Sequence, residues 1–168
     1  MPPFLVSVVS SGDPWLFASS NGGLSAGRVS PDTALFPYIT VDKIHESSPH
    51  TGPLTLVRVE APRQPRVWEP FNREQDGVFE VSRHLYKNVR GDKLCFEEIN
   101  HELALSFSYT WLTSDGFGFV RRCQIRNLGR AECSLEVLDG LQNILPAGTP
   151  RFTQTNSSNL VDAYKWTE

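Results

Sequence analysis

The chain has 168 residues, 39% of them hydrophobic and 21% charged, and carries a net charge of −3. That length suits one domain whose core needs no metal or disulfide staple. The slightly acidic balance offers no basic face for nucleic acid or for an anionic membrane surface, so neither is expected as a partner.

Phe4–Val9 reads as an opening strand. The run is too short to span a bilayer and has no basic segment before it, so it reads neither as a membrane span nor as a signal peptide. A cytoplasmic location is therefore expected. Residues 10–40 are rich in Gly, Ser, Asn and Pro and read as a long loop, with Ser30-Pro31 opening one helical turn. The aromatics Trp15, Phe17, Phe36 and Tyr38 argue that this loop is ordered. Leu54–Glu60 is a short strand. Residues 61–77, with Pro62, Pro65 and Pro70, read as a surface connection. Phe79, Val81, Leu85 and Val89 then alternate with Glu80, Ser82, His84 and Asn88, and Arg90-Gly91-Asp92 turns the chain into a strand over Lys93–Ile99.

The clearest pattern starts at His101. Leu103, Leu105, Phe107, Tyr109 and Trp111 take every second position, with Ala104, Ser106, Ser108 and Thr110 between them. This is the period of a half-buried strand. After a turn at Thr113–Gly116, Phe117, Phe119, Arg121, Cys123 and Ile125 repeat it, and after Asn127–Arg130 so do Cys133, Leu135, Val137 and Leu141. Three long strands joined by short turns predict a meander. Strands at this spacing, with almost no helical period, predict an all-β antiparallel sandwich. A helix is expected from Ser157 or Ser158 to Trp166, with Leu160, Ala163 and Tyr164 on one face. The division expected is a sandwich over residues 1–155 and a terminal or linker helix over 156–168.

Arg121 and Asp139 interrupt two otherwise apolar faces. A one-residue slip would turn an apolar set to water, so odd positions must pair with odd positions. One register that does so puts Arg121 opposite Asp139, Cys123 opposite Val137 and Ile125 opposite Leu135. It predicts a structural ion pair on the inner face, where loss of one partner costs about 3–5 kcal/mol.

Catalytic patterns are sparse. Glu97 and Glu98 are neighbours on a strand and point to opposite faces, so they cannot flank a glycosidic bond together. His45, His50, His84 and His101 have no metal-ligand spacing, and no G-x-S-x-G elbow or P-loop glycine pattern occurs. Neither a metal nor a cofactor is expected. Cys95, Cys123 and Cys133 are too few and unevenly spaced for a disulfide framework and read as small apolar residues facing a core. The most site-like segment is the loop from Asp13 to Tyr38, where Asp13, Trp15, Asn21, Arg28 and Asp32 supply planar polar groups and an aromatic face suited to sugar hydroxyls and C–H surfaces.

Two stretches carry a resemblance. The run NGGLSAGRVSPDTALFPYITVDKI at 21–44 and the run HELALSFSYTWLTSDGFGFVRRCQIRNLGRAECSLEVLDGLQNILP at 101–146 resemble the N-terminal region of proteins related to cellobiose phosphorylase and other inverting disaccharide phosphorylases. In the second, an R-x-x-x-x-N-x-G turn spans Arg122–Gly129 and the next strand ends at Asp139-Gly140. The resemblance implies a front domain of the galactose-mutarotase-like supersandwich type, followed in such proteins by a helical linker and an (α/α)₆ barrel that carries the general acid. It implies that the sandwich is longer in the family, that it contributes to a dimer, and that it lends loops to the barrel's active site. No residue of this chain corresponds to the barrel's catalytic aspartate.

The expected function is a non-catalytic, carbohydrate-associated β-sandwich domain, the front part of a glycoside phosphorylase- or hydrolase-like enzyme. Its expected partners are an oligosaccharide or a downstream helical catalytic domain, and the loop at 13–38 with Asp13, Trp15, Asn21, Arg28 and Asp32 is expected to contact either the sugar or that barrel. Two alternatives stand beside it: a sugar epimerase of mutarotase type, which needs His and Glu side chains converging in a groove, and a structural module that forms a homodimer through unpaired strand edges.

Overall fold

Alternation decides where the long strands run, and the computed structural model, which describes residues 2–61 and 64–157, contains ten strands in all among those residues. They are β1 Leu5–Val8, β2 Pro14–Ser19, β3 Leu24–Arg28, β4 Gly52–Val59, β5 Arg66–Trp68, β6 Val81–Lys87, β7 Lys93–Asn100, β8 Leu105–Ser114, β9 Gly118–Asn127 and β10 Leu135–Gln142. One short helix, α1, covers Arg151–Asn156, and 3₁₀ turns cover Pro31–Thr33, Val41–Ser47 and Arg73–Gln75. The fold is all-β and sandwich-like, and every pair of these strands is antiparallel.

The strands form three sheets, ordered β1-β2-β3, β10-β4-β5 and β6-β7-β8-β9. On the four-stranded sheet the odd residues of β8 turn inward: Leu105, Phe107, Tyr109 and Trp111 are all buried. Across from them Val57, Val59 and Trp68 of the β10-β4-β5 sheet are buried in the same core. The third sheet adds Leu16, Ala18, Leu24 and Ala26 to that core. It meets the four-stranded sheet at two turns, where Val9 N donates to Gly91 O at 2.9 Å and Ser11 Oγ donates to Asp115 at 2.7 Å.

Three expectations are corrected. Residues 10–40 are not one loop: β2 and β3 form a hairpin within them. Alternation was hidden there because β3 buries both faces, Leu24, Ser25, Ala26 and Gly27 all being enclosed. The helical turn after Ser30 is real, and the Ser30 hydroxyl caps it by accepting from Asp32 N at 3.3 Å. Residues 61–77 are not simply a surface run either. Trp68 sits on β5 and is 1% exposed, and Phe71 packs against the core. Hydrophobic burial of these two rings overrides the prolines around them.

The third correction concerns the meander. β8 and β9 pair as a hairpin, but β9 then ends as a sheet edge. The chain crosses over, and β10 pairs with β4 in the facing sheet, Val137 opposite Val57 and Asp139 opposite Thr55. The odd residues of both strands lie on the side facing the other layer, which is why parity was readable while the pairing was not, although Val137 and Leu141 of β10 stay exposed, which corrects the buried face expected there. Helix α1 ends where the expected helix begins, and the expected segment from Ser158 onward lies outside the described residues.

Candidate functional site

A cleft of about 530 Å³ opens between the β2–β3 turn, the Val41–Ser47 turn with the residues after it, the start of β4 and the segment 69–74. Each wall is held by local hydrogen bonds. Asn21 Nδ2 donates to His45 O at 2.9 Å, and Ser48 Oγ donates to Asn21 O at 2.7 Å. Ile44, 1% exposed, anchors the 3₁₀ turn beneath. Gly23 is required here, because a Cβ at that position would stand 2.0 Å from Ile44 O. The result directs His45, Glu46 and His50 to the cleft.

The opposite wall is shaped by Glu69-Pro70-Phe71-Asn72. Glu69 accepts from Asn72 Nδ2 at 2.9 Å, and Asn72 Oδ1 accepts from Glu74 N at 2.8 Å. Phe71 has φ 69°, a conformation unfavourable for a bulky residue. Its backbone N–H donates to Glu98 Oε2 at 2.8 Å, and its ring meets Tyr109 edge-on at 5.3 Å. Those contacts hold it in place.

Glu98 is the buried post of this wall. It is 1% exposed and accepts from Trp68 Nε1 at 2.8 Å, from Phe71 N at 2.8 Å and from Arg83 Nε at 2.7 Å. Its neighbour Glu97 faces the other side of the sheet and accepts from Arg126 at 2.7 Å. The two carboxylates are thus on opposite faces and separately engaged.

Tyr109 forms the floor. It is 3% exposed, stacks on Phe96 at 4.9 Å, and carries the Arg121 guanidinium 5.0 Å from its ring centre. Its hydroxyl comes within 3.7 Å of where a Gly22 Cβ would stand and has no hydrogen-bond partner among the described residues. Burial pushes its pKa up against the opposing charge of Arg121, so the phenol is a neutral donor.

Arg121 and Asp139 lie directly behind this floor. Both guanidinium Nη atoms reach the carboxylate at 2.9 Å, and Thr55 Oγ1 donates to Asp139 Oδ1 at 2.6 Å. The pair is bidentate, the strong geometry for this chemistry. It is not fully buried: the side chains are 8% and 30% exposed. Partial burial raises the Asp139 pKa, but the hydrogen bonds from Arg121 and Thr55 outweigh it and hold the carboxyl below its usual value. Burial pushes the nearby Cys123 thiol up to about 11.

The five loop residues do not come together. Asn21 alone lines the cleft. Trp15 and Arg28 sit at the far end of the hairpin, where Trp15 pairs with Gly27 and Pro14 with Arg28, and Asp13 O accepts from Val29 N there. Asp32 instead accepts from Arg151 N at 3.2 Å and ties down α1. Sequence reasoning missed His45, His50, Glu69, Phe71, Glu74 and Tyr109 as cleft residues. The available signal was the aromatic–polar run Trp68-Glu69-Pro70-Phe71-Asn72, which the neighbouring prolines disguised as a surface connection.

The cysteines are all free and half-buried. Cys123 and Cys133 pack on the core, whereas Cys95 lies between Leu94 and Phe96 on the opposite sheet face, which corrects its expected inward orientation. Among the described residues, no group of three or more His, Cys, Asp or Glu could hold a metal ion, and no helix is long and apolar enough to cross a membrane. No protein-family model matches the chain, and no curated protein matches it.

Proposed function

We propose that this is a carbohydrate-binding β-sandwich domain whose binding site is the Tyr109 cleft rather than the loop at 13–38. The observation that carries the reading is the buried Tyr109 phenol with an unengaged hydroxyl on the cleft floor, beside the Phe71 ring and ringed by carboxylate and carboxamide groups. Aromatic faces suit sugar C–H surfaces, and planar polar groups suit vicinal hydroxyls. A concave site with a few convergent polar groups is the usual form of a small-ligand pocket. The resemblance to the front region of disaccharide phosphorylases agrees with this chemistry, and a cytoplasmic setting agrees with three free cysteines.

A glycan microarray followed by calorimetry tests the reading. Tyr109→Phe keeps the ring and removes the hydroxyl, so a bound saccharide loses about tenfold in affinity, the cost of one well-placed hydrogen bond. Trp15→Ala and Arg28→Ala leave affinity unchanged, because they lie at the other end of the hairpin. A bound saccharide whose affinity follows Trp15 and Arg28 instead of Tyr109 returns the site to the 13–38 segment, and no binding of any glycan removes the reading.

A second reading has one specific observation behind it. His45, His50 and the carboxylates Glu46, Glu69 and Glu74 line the same cleft. Imidazole and carboxylate groups are the proton-transfer partners that sugar epimerisation or mutarotation needs. Polarimetry of freshly dissolved α-glucose and α-galactose with and without protein separates the two readings: faster loss of rotation with wild type, abolished in His45→Ala or His50→Ala, makes the domain an enzyme.

A further inference from the structure

A second cavity of about 200 Å³ adjoins the cleft, and Asn21, Phe71 and Arg73 line both. Arg73 stands at their shared edge, and the charge on either side of it differs. Carboxylates Glu46, Glu69 and Glu74 line the main cleft, whereas the side cavity is lined by Arg73 and Arg83 and by no carboxylate among the described residues. Arg83 is committed to the fold: its Nε reaches Glu98 at 2.7 Å and its Nη2 reaches Asp76 at 2.8 Å. Arg73 is not. Its guanidinium makes no ion pair or hydrogen bond with any described residue. Phe4, Phe71 and Phe96 form the apolar part of the same wall.

An uncommitted guanidinium at the mouth of a partly apolar cavity is suited to an oxyanion, which it can bind through two parallel N–H donors. The acidic wall of the main cleft disfavours an anion there and favours hydroxyl donors. We propose that the side cavity is an oxyanion subsite, so that the saccharide in the cleft carries a carboxylate, phosphate or sulfate group directed to Arg73. The saccharide part rests on the carbohydrate reading of the cleft; the oxyanion part stands on Arg73 and its cavity alone.

Side-chain ¹⁵N–¹H spectra of the arginines test it with four probes: inorganic phosphate, glucuronate, glucose 6-phosphate and glucose. Arg122, exposed on the outer face with no partner among the described residues, is the control for non-specific anion contact. The expected result is a saturable shift at Arg73 Nε with phosphate or glucuronate that Arg122 does not share. Glucose 6-phosphate or glucuronate then binds about tenfold tighter than glucose, and Arg73→Gln removes that preference. Which of the two anionic sugars gains more identifies the substituent. Phosphate and glucuronate moving Arg73 no more than Arg122, with no preference for either anionic sugar over glucose, overturns the proposal. Phosphate at Arg73 with no saccharide bound at all overturns the carbohydrate reading and leaves the oxyanion subsite standing.

Discussion

Arg121 on β9 and Asp139 on β10 belong to different sheets, and their bidentate ion pair at 2.9 Å ties the two layers together. The same guanidinium lies over the Tyr109 ring and donates to Thr55 Oγ1 at 3.2 Å. A contact that braces the sandwich is therefore also the underside of the cleft.

Removing one partner tests this brace. Arg121→Ala leaves Asp139 and Thr55 without their shared donor and is expected to lower unfolding free energy in urea by about 2–3 kcal/mol, less than a fully enclosed pair because water reaches Asp139. Asp139→Ala costs a comparable amount. The double variant is expected to cost less than the sum of the two, since the second change removes a charge already left unpaired.

The pair has a pH signature. The folded Asp139 pKa lies below its unfolded value, so the stability it contributes is present above the unfolded carboxylate pKa of about 3.9 and is lost as pH falls through the folded one. Urea midpoints of wild type and Asp139→Asn are expected to differ most above pH 5 and to converge toward pH 2. A constant gap across that range contradicts the assignment.

Glu98 has three donors and almost no contact with water. Glu98→Ala leaves Arg83 with Asp76 as its one remaining carboxylate, strands the Trp68 and Phe71 N–H groups, and is expected to cost about 3–5 kcal/mol. It also frees Phe71 from its left-handed conformation. Trp68 emission should move to longer wavelength as the indole gains water, and a variant with native emission and stability would show that the post is dispensable.

Gly23→Ala probes the wall that carries His45. Its new methyl group would overlap Ile44 O, so the 3₁₀ turn must move, at a cost of about 1–3 kcal/mol. Amide shifts are expected to concentrate at residues 41–48, and saccharide affinity should fall with them. Ala at Gly116, which has open space around it, is the control.

The long strands β8, β9 and β10 were legible in the amino-acid order, because a strand with one buried face must alternate and a turn must break it. The inward placement of Arg121 and Asp139 followed from that parity alone. The partner of β10 did not. Parity is the same whether Asp139 faces inward from a β9–β10 hairpin or from a β4–β10 pair in the opposite layer, and only packing chose the second. The β2–β3 hairpin was invisible for the complementary reason: β3 is covered on both faces, and the small residues Ser25, Ala26 and Gly27 replace the alternation that marks a strand. The cleft was least legible of all. Asn21, His45, Phe71 and Tyr109 are far apart along the chain, and each has an ordinary local context. Local order set the period of the strands, while the cleft exists only because three sheets close on one core and leave the Tyr109 hydroxyl at their junction.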